Sequence, residues 1–427
     1  MMNNVQDLRI QKEILPLFDS TLNNYAKTTL NDLLLKPLSS IDEILQRQAL
    51  LKGFIANAEI FANYSYSRID LSETYSFLEH FPETVVSDRS MKLNLLLSES
   101  ERHRTRGKHI QFVLLLHRLQ SRYVNRIDTK AFPESYKAQL KVIYQFFDSF
   151  KLNYFEELIR ENKFKIKHII ELTHLIRKKK HSGEIKVFWE NYFLFEAYLS
   201  ISQATIRHKF SFPEFTKSKL SFEDIYHPLL KDPVKNSLTL TSNVAVLTGP
   251  NMSGKSTFLK SVALAIYLGH LGLGVAASSA KIPFYESITA HLDHNDDMVS
   301  GYSHFMTEIM NLKKVAIEAV SQKKCFAVFD ELFKGTNVED ALRISATTIN
   351  GLTNFKNSVF FISTHLHQLK EEPGILWENI STYYIDCGLE DAIPVFNYKL
   401  KSGWSDLKIG QILFEKEGLN ELLNART

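Results

Sequence analysis

Apolar residues recur every three to four positions through the first half of the chain, as in Leu33, Leu34 and Leu35, then Leu38, Ile41, Ile44 and Leu45, then Leu50 and Leu51. With polar residues between them, that spacing puts the apolar side chains on one face of amphipathic helices. Pro37, Pro82 and Pro133 punctuate the stretch and Gly is scarce, so several long helices joined by short turns are predicted up to about Arg207. Pro213, Pro228 and Pro233 then interrupt the chain between Phe210 and Leu240. Beyond them come short apolar runs, Val244 to Leu247, Cys325 to Phe329 and Val359 to Ile362, separated by helical stretches such as Phe258 to Leu268 and Glu308 to Ala319. Short buried strands alternating with helices imply an α/β sheet with helical crossovers. The expected organisation is an all-α domain over residues 1–207 and an α/β domain over residues 208–427.

Composition narrows the picture without supplying a function. The 427 residues are 44% hydrophobic, ordinary for a globular chain with room for more than one core. Lys and Arg number 51 against 48 Asp and Glu, a net charge of +3, so nucleic acid binding cannot be argued from overall charge and must rest on local patches. Cys325 and Cys387 have no metal-ligand spacing and read as small core residues of a protein kept in a reducing compartment. Met1 to Asp19 mixes charged and apolar residues without a run of signal-peptide or membrane-span length, so a cytoplasmic protein is expected.

The chemistry lies behind the three apolar runs. After the first comes Gly249-Pro250-Asn251-Met252-Ser253-Gly254-Lys255-Ser256-Thr257, the strand, Gly-x-x-x-x-Gly-Lys-Ser, helix arrangement of a phosphate-binding loop. Glycines let backbone N–H groups curl around phosphates, and the following helix N-terminus adds favourable partial charge. Lys255 would reach the β and γ phosphates of ATP, and the Ser256 hydroxyl would ligate Mg²⁺. The second run ends in Asp330-Glu331, which assigns Asp330 to the metal and Glu331 to polarising a water for attack on the γ-phosphate. The third ends at His365, placed to reach the γ-phosphate and that water, while His367 reads as structural.

In combination these segments resemble the ATPase domain of the MutS family of DNA mismatch repair proteins. Thr248 to Thr257 is similar to that family's extended phosphate loop, Ser303-His304-Phe305-Met306-Thr307-Glu308 to its Ser-Thr-Phe-Met-x-Glu, Asp330 to Thr336 to its Asp-Glu-x-Gly-Arg-Gly-Thr, and Ser363-Thr364-His365 to its Ala-Thr-His. His227-Pro228 and Phe396 to Gly403 resemble flanking segments, and Thr28 to Leu38, with Ile41 and Arg47, resembles the opening of the helical core domain. The resemblance is weak over the helical core and strong over residues 220–410. It implies an ABC-type P-loop ATPase domain preceded by an all-α core or lever domain. It also implies a homodimer in which Ser303 acts on the γ-phosphate of the opposite subunit and Gly335-Thr336-Asn337 lines the seam. The bland reading of Ser303 is a helix N-cap. Phe333-Lys334 stands where the family has Gly-Arg, and the usual Gly, Arg and Trp of the core opening are missing. No segment matching the mismatch-reading and connector domains is expected ahead of this core. Phe284-Tyr285-Glu286 has the form of the mismatch readers' Phe-x-Glu but lies inside the ATPase domain, so it is set aside as coincidence.

Two basic clusters, Arg102 to His109 and Arg177 to His181, are candidates for DNA backbone contact, with solvated helix ends as the alternative. Arg118, Arg122 and Arg126, at helical four-residue spacing, would add positive charge on one face. The function expected is therefore an ATP-switched dimer that clamps DNA with little mismatch readout of its own. An ABC-type ATPase gating a protein complex without DNA is the alternative, and a transporter's soluble subunit fits the helical first half poorly.

Overall fold

In a computed structural model of the chain, the described residues are 3–84, 87–292, 304–333, 336–390, 393–405 and 410–424. They divide into two compact units. One comprises Leu17–Leu33 and Gln46–Ile206, the other Met1–Pro16, Leu34–Leu45 and Arg207–Thr427.

The first unit is helical, as the periodicity predicts, with Glu99–Arg122 and Glu184–Arg207 its longest helices. Serines start three of the helices: the Ser67, Ser87 and Ser98 hydroxyls accept from the backbone N–H of Asp70, Ser90 and Glu101. Each first turn also carries an acidic residue, which the helix dipole favours. The Glu184–Arg207 helix is apolar nearly all round and runs through an aromatic core, where Phe188 stacks on Phe146 at 3.9 Å and Phe195 meets Phe54 edge to face at 5.1 Å. Packing there is tight enough that a Cβ on Gly53 would lie 2.5 Å from Phe132 Cδ1.

One carboxylate sits inside this core. Glu196, 1% exposed, accepts hydrogen bonds from Leu22 N (2.6 Å), Tyr66 Oη (2.7 Å) and Asn23 Nδ2 (3.1 Å). Burial pushes its pKa up, and the hydrogen bonds from Tyr66 and Leu22 oppose that shift. These bonds tie the start of the unit to its last helix, a link that no local pattern in the sequence encodes.

The second unit holds the mixed α/β part. Its strands are β1 (Asn3–Asn4), β2 (Glu214–Thr216), β3 (Ser221–Ile225), β4 (Asn236–Thr239), β5 (Val244–Thr248), β6 (Ser279–Pro283), β7 (Ser287–His291), β8 (Cys325–Phe329), β9 (Val359–Ser363), β10 (Ser381–Glu390) and β11 (Ile393–Ser402). Among the described residues they form a sheet in the order β1-β7-β8-β9-β5-β10-β11, parallel except for β11, and a smaller sheet in the order β2-β6-β3-β4. Every residue of β5, β8 and β9 is buried, which is why these strands read as unbroken apolar runs. Val246, Ala327, Phe329, Phe360 and Ile362 join Ile349 and Leu352 of the Val338–Leu352 helix in one core cluster. Cys325 belongs to it and burial lifts its thiol pKa to about 11, whereas Cys387 is half-buried on β10. The N-terminal segments of this unit are bound by contacts far along the chain: Asp7 Oδ2 accepts from Leu292 N (2.7 Å), Leu34 O from Tyr267 Oη (2.9 Å), and His270 O from Leu38 N (2.9 Å).

Glu196→Ala should destabilise the helical unit by about 3 kcal/mol, because it strands three donors in a dry core at roughly 1–3 kcal/mol each, reduced by any water that enters. Urea unfolding of the full chain reads this directly, and Glu196→Gln, which keeps one acceptor, should lose less.

Candidate functional site

Parallel pairing sets Leu247 of β5 beside Ser363 of β9, Ile362 of β9 beside Phe329 of β8, and Phe329 beside His291 of β7. The carboxyl ends of β5, β9 and β8 are therefore neighbours on one edge, and the segments that follow them, at Gly249, Thr364 and Asp330, leave the sheet together. In open α/β sheets this edge is where ligands bind.

The loop after β5 turns twice through left-handed backbone, at Met252 (φ 69°) and Gly254 (φ 99°), and Gly249 has φ 136°. A Cβ on Gly249 would press on Ser253 Oγ at 3.1 Å, and one on Gly254 on Tyr398 Cδ1 at 3.2 Å, tight contacts that add to the preference for glycine set by φ. Lys255 opens the Lys255–His270 helix and is 5% exposed. Its Nζ donates to Gly249 O (2.8 Å) and Pro250 O (3.1 Å), an ammonium held inside the loop by the loop's own carbonyls. Ser253 is buried, with no hydrogen-bond partner for its Oγ among the described residues, whereas Asn251, Met252, Ser256 and Thr257 are exposed.

Across the edge, Asp330 is 6% exposed and its N–H donates to His291 O (2.9 Å). The Ser363 hydroxyl donates to Asp330 Oδ1 and accepts from Glu331 N (2.8 Å), so one β9 side chain fixes both carboxylate residues at the end of β8. Glu331 is half-buried, with φ 50°, and Phe333 follows at φ 65°. His365 is exposed just past β9, while Thr364 N donates to Leu247 O (3.0 Å) and binds that turn to β5. His367 Nδ1 lies 3.1 Å from Ser405 O, a structural contact as its sequence position suggests.

Oxygen ligands suit a hard cation such as Mg²⁺, which keeps most of its waters and needs few protein groups. The buried Asp330 carboxylate and the exposed Ser256 hydroxyl, on segments that leave the same edge on either side of β9, are groups of that type.

Two histidines absent from the sequence-based assignment border the site. His291, at the end of β7, stacks on Phe329 at 5.6 Å, and burial lowers its pKa to about 4, so it is neutral at physiological pH. His227 lines a cavity of about 370 Å³ together with Tyr226, Ser253, Gly254, Phe258 and Tyr398, against the outer side of the phosphate-type loop. Burial and the nearby Lys260 lower its pKa. The only sequence signal for it was the His227-Pro228 pair itself.

Ser303, Lys334 and Gly335 lie outside the described residues. Asn337 is described, and its side chain caps the Val338–Leu352 helix by accepting from Asp340 N (2.9 Å). In the helical unit the basic clusters are partly spent on local contacts. Arg102 pairs with Glu99, Arg106 bonds Phe164 O and Asn162, Lys179 pairs with Glu184, and Lys180 bonds Glu79. Lys178 to His181 form the last turn of the Ile166–His181 helix, where the dipole favours cations. The continuous face expected of Arg118, Arg122 and Arg126 does not form, because the helix stops at Arg122 and Arg126 belongs to a separate turn, Val124–Arg126.

Residues 245–421 match the family model for MutS domain V. The chain is 34% identical over 194 residues to the DNA mismatch repair protein MutS of Fusobacterium nucleatum, covering 45% of this chain and 21% of that protein. It is 30% identical over 226 residues to MutS of Streptococcus uberis, covering 50% of this chain and 26% of the relative, and 28% identical over 206 residues to MutS of Bacillus subtilis, covering 46% and 24%. The aligned part thus spans about a quarter or less of the length of these curated relatives. Through this C-terminal region, with its loops gathered on one edge of a parallel sheet, the chain is similar to MutS domain V.

Proposed function

We propose that the C-terminal unit is an ABC-type P-loop ATPase and that the protein works as an ATP-switched homodimer on DNA, in mismatch repair or related DNA maintenance. One observation carries the reading: a phosphate-type loop, a buried aspartate with its neighbouring glutamate, and a histidine meet at adjacent strand ends in a region matching MutS domain V.

In this mechanism the loop Gly249 to Thr257 wraps the phosphates of ATP, with the base in the aromatic-walled cavity beside Tyr226, His227 and Tyr398. Lys255 exchanges the carbonyls of Gly249 and Pro250 for the β and γ phosphates, a change of partner that needs no new charge in the site. Ser256 and Asp330 would hold Mg²⁺, which would supply neutralisation of the developing charge on the phosphates. Glu331 takes the proton of the attacking water, and His365, exposed at the strand end, donates to the γ-phosphate. Ser303 acts across the dimer on the partner's γ-phosphate, and the Gly335-Thr336 loop lines the seam. With two cysteines and, among the described residues, no helix long and apolar enough to cross a membrane, the setting proposed is the cytoplasm.

Lys255→Ala should abolish ATP binding, whereas Glu331→Gln should bind ATP and hydrolyse it about 10²–10⁴ times more slowly, the usual cost of removing a general base. Full turnover by the Glu331→Gln chain would remove that residue from the mechanism. Mixing Lys255→Ala with Ser303→Ala chains should restore hydrolysis, since in the heterodimer one composite site keeps both groups. Hydrolysis by isolated monomers at high dilution would contradict the composite site. DNA affinity should fall with salt at a log-log slope of about −0.9 per phosphate neutralised and should differ little between matched and mismatched duplexes. Absence of DNA binding at low salt would favour an ATPase that gates a protein complex.

A further inference from the structure

The two basic clusters, some seventy residues apart in sequence, meet at one cavity. His109 donates Nδ1–H to Thr105 O (2.8 Å), because a carbonyl can only accept, and its Nε2 therefore accepts from the Thr173 hydroxyl (3.1 Å). Burial lowers the His109 pKa to about 4, which agrees with a neutral ring in that arrangement. This contact joins the Glu99–Arg122 helix to the Ile166–His181 helix beside a cavity of about 820 Å³, lined from the first helix by Arg104 and Lys108 and from the second by Arg177.

Arg177 is the unusual member. It is 8% exposed, its Nε makes one long hydrogen bond to Pro82 O (3.4 Å), and its enclosed Nη1 has no hydrogen-bond partner among the described residues. Thr74, 2% exposed on the same wall, likewise has no partner for its hydroxyl among the described residues. A buried guanidinium without a countercharge is costly, and an anion is what relieves it. Glu73 and Glu101 also line the cavity, but both are exposed, and Glu73 accepts from Gln111 Nε2. Neither forms an ion pair with Arg177 among the described residues.

The opposite character lies alongside. Phe77 and Phe81 pack edge to face at 5.3 Å and line the cavity with Met91 and Leu95, an apolar wall on which a planar base can stack. An oxyanion end beside an aromatic wall, in a space far larger than a bare phosphate, matches one chemical class. We infer that the helical unit binds a nucleoside monophosphate unit in this cavity, its phosphate on Arg177, Arg104 and Lys108 and its base against Phe77 and Phe81. The unit is either a free nucleotide or the 5′-phosphorylated end of a DNA strand. Arg177 gains a countercharge, and the exposed Arg104 and Lys108 supply attraction at the mouth.

Hydrogen exchange on the full chain tests this, because it reports the cavity separately from the loop at Lys255. AMP should slow exchange in residues 72–81, 104–111 and 173–177. The exposed pair Arg104→Ala and Lys108→Ala should weaken that protection about tenfold in AMP concentration, as the loss of charge-assisted bonds requires. Arg177→Met, which keeps the packing volume, should abolish it. A 5′-phosphorylated single strand that displaces AMP, where its hydroxyl-ended twin does not, identifies a strand end as the ligand; failure of both strands to displace AMP identifies the free nucleotide. The inference is overturned if AMP leaves these segments unprotected, or if the Arg104→Ala, Lys108→Ala chain is protected as well as the parent, and neither result bears on ATP at Lys255.

Discussion

The parallel register that seats Leu247 beside Ser363 and Ile362 beside Phe329 is the constraint on which the candidate site depends. A shift of one residue in either pairing would exchange the two faces of the strand, and with every residue of β5, β8 and β9 buried each side chain would have to repack against the opposite layer. Because the strands are held in that register by continuous burial, their ends, and the loops behind them, arrive at one edge. The Ser363 hydroxyl then locks the edge, holding the Asp330 side chain and the Glu331 backbone with one group. A serine at the end of β9 thus positions carboxylates that belong to β8.

The Phe333 position shows how this edge tolerates a departure from the family pattern. Phe333 stands where the resemblance expects Gly, and its backbone is left-handed at φ 65°, a conformation that costs a bulky residue on the order of 1–3 kcal/mol. Its side chain is 1% exposed in the sheet's core cluster and meets Phe305 edge to face at 6.0 Å. Burying a Phe is worth about 1.5–3 kcal/mol, with up to roughly 1.5 more from the aromatic pair, so packing offsets the strain. Since Phe305 lies in the first turn of the His304–Val320 helix, the pair links the carboxylate turn to the helix next to the residue proposed to act across the dimer.

The strands that carry the site were legible because each is an unbroken apolar run: Cys325–Phe329 has the predicted bounds, and β5 and β9 extend the predicted runs by one residue. The phosphate-type loop was legible from its glycines, which the geometry requires at Gly249 and Gly254. What the sequence hid is non-local. Nothing in the periodicity of Leu34 to Leu45 says that Tyr267 and His270 will bind it to the α/β unit, and nothing around Glu196 says that Leu22 and Tyr66 will satisfy it. The ten-residue strands β10 and β11 escaped because, where their burial is described, they are mostly half-buried or exposed and so lack the continuous buried run that marks β5, β8 and β9. Arg126 was misplaced for a local reason, a helix that stops at Arg122 where spacing alone carried it on. Charge counting likewise overstated the basic clusters, since helix ends and nearby carboxylates occupy half their cations.

In the proposed mechanism Lys255 is held in reserve by the loop carbonyls until phosphates replace them. An experimental structure of the chain with Mg²⁺ and a non-hydrolysable ATP analogue tests it most directly. The predicted result is Lys255 Nζ withdrawn from Gly249 O and Pro250 O and bonded to the β and γ phosphates, with Ser256 and Asp330 at the metal. A nucleotide bound elsewhere, or Lys255 still capped by those two carbonyls with the analogue in place, would contradict it.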